Sequence, residues 1–121
     1  MLRNELFQLV KMDASAGGGK ALVKLLPESA IYAAHFKGMP VTPGACLIQI
    51  ACELVSEVRG EKLDVAEASD IRFVNPVLPD QISELEYEFS RPLPVEDPDL
   101  WSVHVLAGET LCARMKLTLK P

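Results

Sequence analysis

The chain is poor in aromatic residues, nearly empty of histidine, and without a long apolar run. One Trp, two Tyr and four Phe among 121 residues are not interleaved with basic residues, and the net charge is −5. Nucleic acid is therefore not an expected partner. No stretch approaches the roughly 20 apolar residues needed to span a bilayer. The opening Met-Leu-Arg-Asn-Glu lacks a secretory pattern. Cys46, Cys52 and Cys112 form neither a CxxC motif nor a paired pattern, so reduced, buried thiols in a cytoplasmic protein are expected. No His, Cys, Asp and Glu set has metal-ligand spacing. The glycine triplet Gly17–Gly19 lacks the lysine-serine and helix signals of a phosphate loop.

What is present reads as one domain over residues 1–121. It is 49% apolar and 24% charged, a globular composition with surface left to hide, which favours an oligomer. Two runs with strand character, Leu6–Met12 and Lys20–Leu26, flank the glycine triplet as a hairpin. Pro27 closes the second run, and 28–42 reads as a short helical turn followed by a stiff loop. Residues 43–59 form a helix, apolar on most sides and stopped by Gly60. Four further strands follow: Val65–Phe73, Ile82–Ser90, Trp101–Leu106 and Thr110–Leu119. The last places Leu111, Ala113, Met115, Leu117 and Leu119 on one face, and Cys112, Arg114, Lys116 and Thr118 on the other. The fold class is α+β: an antiparallel sheet curled around one long central helix. Such a sheet invites dimerisation.

One stretch concentrates the chemistry. His35 precedes a loop stiffened by Gly38, Pro40, Pro43 and Gly44, which runs directly into the apolar helix. Thr42 is a good N-cap residue and Pro43 is favoured at the first helical position. The helix-start N–H groups, that of Gly44 among them, then stand beside an imidazole. That pairing suits carbonyl polarisation with proton abstraction.

The segment His35, Phe36, Gly38, Pro40, Val41, Pro43, Gly44 resembles the H-F-P-G-x-P-V-x-P-G motif of the hotdog-fold 3-hydroxyacyl-acyl-carrier-protein dehydratases; Lys37 stands at the usual proline. Ile71–Ile82 resembles that family's K-F-x-x-P-V-x-P-G-D-x-L bend without its glycine, and Gly108 to Ala113 resembles its closing strand. The resemblance implies a hotdog fold and loss of water from a 3-hydroxyacyl thioester. The substrate is carried on the phosphopantetheine of an acyl carrier protein, with no bound cofactor and no metal. It implies that His35 removes the C2 proton and that the Gly44 N–H holds the thioester oxygen. Phe36, Val41, Pro43 and Tyr32 are the expected substrate-binding residues, Tyr32 either lining the pocket mouth or simply packing. An acid from the facing subunit's helix, fourteen residues after the histidine, protonates the departing hydroxyl; here that position is Gln49.

A carboxamide donates hydrogen bonds but delivers no proton. The glutamine that the family often carries one turn later is here Glu53, as though the two residue types were exchanged. Positions i and i+4 share a helix face about 5–6 Å apart at Cβ, so Glu53 is a candidate relocated acid. Alternatively, Gln49, Glu53 and Glu57 form only a polar stripe. Lys37, Arg72 and Arg114 are the candidate contacts for an acidic carrier. His104 reads as a strand-face residue and Cys46 as a small buried one rather than an activated thiol. Two other functions compete: a hotdog thioesterase with Glu53 as base, and a non-catalytic acyl-thioester-binding subunit that has lost its acid.

Overall fold

The computed structural model describes residues 1–15, 17–34, 40–92 and 96–121. Among the described residues six strands are present: β1 (Phe7–Ser15), β2 (Gly18–Leu25), β3 (Asp64–Phe73), β4 (Glu84–Ser90), β5 (Leu100–Ala107) and β6 (Thr110–Lys120). The helices are α1 (Ala30–Ala34) and α2 (Gly44–Arg59), of 5 and 16 residues. One curled antiparallel sheet runs in the order β1-β2-β4-β5-β6-β3. Strand β3, next in sequence after α2, therefore crosses to the far edge and pairs with β6.

Period-two alternation builds the sheet's inner face. Along β4, Leu85, Tyr87 and Phe89 are buried while Glu84 and Ser90 are exposed. Trp101, Val103 and Val105 of β5 and Met115, Leu117 and Leu119 of β6 continue the layer. Cys112 departs from the expected alternation and is buried. The pairing slips between Leu106↔Leu111 and Val105↔Ala113, so Cys112 is the extra residue of a bulge and turns inward. Its carbonyl receives the N–H groups of Val74 at 2.8 Å and Asn75 at 3.2 Å.

Helix α2 lays Leu47, Ile50, Ala51, Cys52, Leu54 and Val55 into this core. Ala45 is exposed and Ile48 and Val58 are half-buried, so one chain covers less of the helix than its nearly continuous apolar surface allows. Gly60 ends the helix in the left-handed region, φ 67°, where its N–H reaches the Glu57 carbonyl. Glycine alone adopts that turn without a Cβ penalty.

The hydroxyl of Tyr87, wholly buried, donates to the Leu47 carbonyl at 3.0 Å and ties α2 to the sheet centre. Burial holds this phenol well above the usual tyrosine range. Tyr87→Phe should cost about 1 kcal/mol in urea unfolding, the net worth of one hydrogen bond. The native state keeps a proton that the unfolded chain releases, so wild-type stability should fall as pH rises beyond the ordinary tyrosine value of about 10. Below that pH the contribution is complete. The Phe variant should show a shallower alkaline decline, and an identical one would rule out Tyr87 as its source.

Strands β1 and β3 are the sheet's two edges. In β3 only Val65 and Ile71 are even half-buried. Its pairing with β6 breaks register twice, between Val65 and Glu67 and between Ser69 and Arg72. Asp70, in the second break, has φ 47°.

Candidate functional site

The start of α2 differs from the expected one in a way that matters. Pro43, extended at φ −60° and ψ 144°, is the N-cap, and no side chain caps the helix. Thr42, the expected cap, is engaged elsewhere. Its Oγ1 pairs with the Tyr32 hydroxyl at 2.8 Å, and its N–H donates to the Val77 carbonyl at 2.8 Å. Both residues are buried. Desolvation raises the Tyr32 phenol pKa, and the bond to Thr42 partly opposes it. Among the described residues nothing accepts the N–H of Gly44. The first intrahelical donors are those of Cys46 and Leu47, at 2.9 and 3.2 Å from the Pro43 carbonyl. An uncapped helix start is a donor-rich positive end.

That end opens on a groove of about 580 Å³ lined by Val41, Pro43, Gly44, Leu47, Phe73 and Val77, among others. The Phe73 ring lies directly on Gly44, so that any Cβ there would run into it. Phe73 is itself 54% exposed. Of the expected substrate-binding residues, the structure brings Val41, Pro43 and Gly44 to this groove. It places Tyr32 behind them, packed and bonded to Thr42. His35, Phe36 and Lys37 lie outside the described residues.

Gln49 and Glu53 occupy a different groove of the same protomer, about 480 Å³, with Arg3, Ser56 and Glu57. They touch each other: the Gln49 amide donates to Glu53 Oε2 at 3.1 Å. The remaining capacity of Glu53 is largely taken. Oε2 also accepts the Leu2 N–H at 2.8 Å, and Oε1 accepts the Arg3 N–H at 2.9 Å. Glu57 pairs with Arg3 at 3.1 Å. Glu53 is thus a fork that fastens residues 2 and 3 to α2. No side-chain pattern announces a carboxylate that receives backbone donors fifty positions away.

Arg72 and Arg114 face each other across β3 and β6, and Arg114 faces His104 across β5. The row continues through Glu88 and Lys20 to Asp13. Its acidic half is compensated, with Lys20 and Glu88 at 3.6 Å. Its basic half is not: among the described residues neither arginine has a carboxylate partner, and the only ion pair nearby joins Lys116 to Asp70 at 3.8 Å. Like charges directly opposite are unfavourable. These groups line an outer groove of about 550 Å³. Cys46 is half-buried, and burial pushes its thiol up, away from nucleophilic reactivity. Among the described residues no three His, Cys, Asp or Glu side chains could hold a metal ion, and no helix is long and apolar enough to cross a membrane.

A curled six-stranded antiparallel sheet packed on a helix whose uncapped start opens into a groove defines a hotdog-fold protein. Residues 13–95 match the family model of the ApeI dehydratases, and the chain belongs to the ApeI-like family. No curated protein matches the sequence. Among solved structures it is similar to a chain of the dehydratase heterocomplex ApeI:P from Xenorhabdus doucetiae, with TM-score 0.78 and 14% identity over 95% of this chain and 98% of that one. It is also similar to an HP0420 homologue from Helicobacter felis, with TM-score 0.66 and 13% identity over 97% and 88%. The E. coli PaaI protein of the phenylacetic acid degradation operon follows, with TM-score 0.60 and 13% identity over 95% and 82%. At such identities these likenesses speak for the fold.

Proposed function

We propose that the protein dehydrates 3-hydroxyacyl thioesters borne on the phosphopantetheine arm of an acyl carrier protein, giving the 2-enoyl thioester and water. The observation that carries this reading is the start of α2, which no side chain caps and where no described residue accepts the Gly44 N–H, beside a groove that Gly44 lines. A donor in that position stabilises the negative charge that develops on a thioester oxygen when the C2 proton leaves. His35 is the proposed base, by the resemblance of its motif. Val41 and Pro43, which line the groove, are the proposed contacts of the acyl chain, with Phe36 proposed from its motif. Incubation of purified protein with a 3-hydroxyacyl carrier thioester should yield the dehydrated product by mass spectrometry. Absence of product with intact substrate would exclude the reaction.

The working unit we propose is a dimer joined edge to edge through β3, in which the two sheets together cover the faces of α2 that one chain leaves open. Light scattering at micromolar concentration should return twice the chain mass. In that assembly Gln49 reaches the site from the facing subunit.

A second reading is supported by the Gln49 carboxamide itself: the chain binds the thioester and a different subunit supplies the missing acid. ApeI:P is itself a heterocomplex. Thioester hydrolysis through Glu53 has less support, because the carboxylate already accepts three N–H donors.

For the carrier, the basic half-row on the outer sheet face is the proposed contact, with Lys37. Strand β3 carries Arg72 on that face while the adjacent Phe73 ring covers Gly44 on the other, so the strand end links the two surfaces. Reversing Arg72, Arg114 or Lys37 to glutamate should weaken turnover of carrier-linked substrate severalfold, and that of a free pantetheine thioester hardly at all, with the effect shrinking at high salt. Equal losses on both substrates would remove this assignment.

A further inference from the structure

Pro43 stands one bond rotation outside the helix. Its φ of −60° already has the helical value, and only ψ, at 144°, keeps it out of α2. With ψ in the helical range, α2 would begin one residue earlier. Pro43 would take the first helical position, where proline is favoured, and Thr42 would be the N-cap. A threonine there accepts the N–H of the second or third helical residue, here Gly44 or Ala45. Residue preference favours this capped start. The structure has the open one, in which neither N–H is accepted among the described residues.

Two bonds hold Thr42 away from the cap. Its N–H donates to the Val77 carbonyl, and its Oγ1 pairs with the Tyr32 hydroxyl, each at 2.8 Å. Any residue except proline can make the first. The second needs both hydroxyls and is sealed in the core, with Tyr32 3% and Thr42 4% exposed. Turning Oγ1 toward the helix would leave the phenol buried without its partner, so this bond opposes the cap. We propose that Tyr32 is a positioning residue, which engages the Thr42 hydroxyl and so keeps the start of α2 open for a thioester oxygen to reach the Gly44 N–H. The assignment rests on the dehydratase reading above and names the residue that keeps its carbonyl-binding donor free. Tyr32 itself touches no substrate in this role. The open start costs α2 one stabilising bond, a local instability kept for function.

The signature lies in the backbone and is read without substrate. By NMR, the Gly44 and Ala45 amides of the wild-type protein should exchange with deuterated solvent faster than those of Cys46 and Leu47, which the Pro43 carbonyl accepts. Tyr32→Phe keeps the ring, removes the hydroxyl and releases Thr42 to the helix. Exchange at Gly44 or Ala45 should then slow about fivefold, the factor that a typical N-cap bond supplies. Adding Thr42→Val, which keeps the shape without an acceptor, should restore the fast rate. Turnover of a 3-hydroxyacyl carrier thioester should follow the same course, falling about fivefold in Tyr32→Phe and recovering in the double variant. Loss of a merely structural bond predicts no such recovery. Wild-type amides already protected, an outcome that needs no variant, or exchange unchanged by Tyr32→Phe, overturn the assignment alone. A wild type that dehydrates nothing overturns the substrate reading, while the exchange rates decide separately whether Tyr32 holds the helix start open.

Discussion

His35→Ala should leave the protein folded and lower dehydration by about 10,000-fold. Neutral imidazole, with a reference pKa of about 6.5, is the form that accepts a C2 proton at cellular pH. General acid–base catalysis by one group contributes roughly 100- to 10,000-fold. The proposed site uses the same imidazole twice, first as base and then as acid, so the loss belongs at the upper end. The sequence holds only one other histidine, His104. It is exposed on the outer sheet face opposite Glu88 and Arg114 and cannot substitute. Product mass under single-turnover conditions, with the thermal midpoint as a fold control, measures the effect. A folded variant retaining a hundredth of wild-type turnover would show that another group removes the proton.

The second large effect is expected of Gln49→Glu. The substitution sets two carboxyl groups one helical turn apart. Like charges that close disfavour double ionisation, so one proton is retained to higher pH. Glu53 already accepts the Leu2 and Arg3 N–H groups, so the introduced carboxyl is the one left free to deliver a proton. That group becomes a general acid, and turnover should rise about 100-fold where the acid step limits. The sign of the pH dependence follows: the gain is present while the introduced carboxyl is protonated and disappears as pH rises through its elevated pKa. The wild-type profile should lack this limb. A variant with an unchanged rate at every pH would mean that departure of the hydroxyl is not limiting.

The inner strands β2, β4 and β5 were legible because burial alternates along them. Leu85, Tyr87 and Phe89 mark β4 without help from any other residue, and all three are buried. Its start was less clear. Ile82 is out of phase with Leu85, Tyr87 and Phe89 and lies before the strand, where its N–H donates to the Leu78 carbonyl at 2.8 Å. The bulge that buries Cys112 depends on the partner strand and leaves no local mark. Thr42 shows the same limit at the site. Its capping propensity is real, but the Tyr32 hydroxyl and the Val77 carbonyl compete for it, and neither is a neighbour in sequence. The exchange of Gln49 and Glu53 was visible as a pattern. Its physical sense emerged only with the backbone N–H groups of residues 2 and 3 in place, because backbone donors carry no residue identity.

The two register breaks in β3 bear on how the protein avoids a hazard common to open sheets. A flat, regular edge accepts strand after strand, and association through it can propagate into fibres. Here the edge shifts register at both breaks, carries Asp64, Glu67, Asp70 and Arg72, and holds Asp70 at φ 47°. Bulged, charged edges fit only a strand of matching irregularity. Once such a strand is seated, no second copy of the template remains exposed on that side. In the proposed dimer, growth along β3 therefore stops at the first partner, and the feature that makes the strand look imperfect keeps that assembly finite.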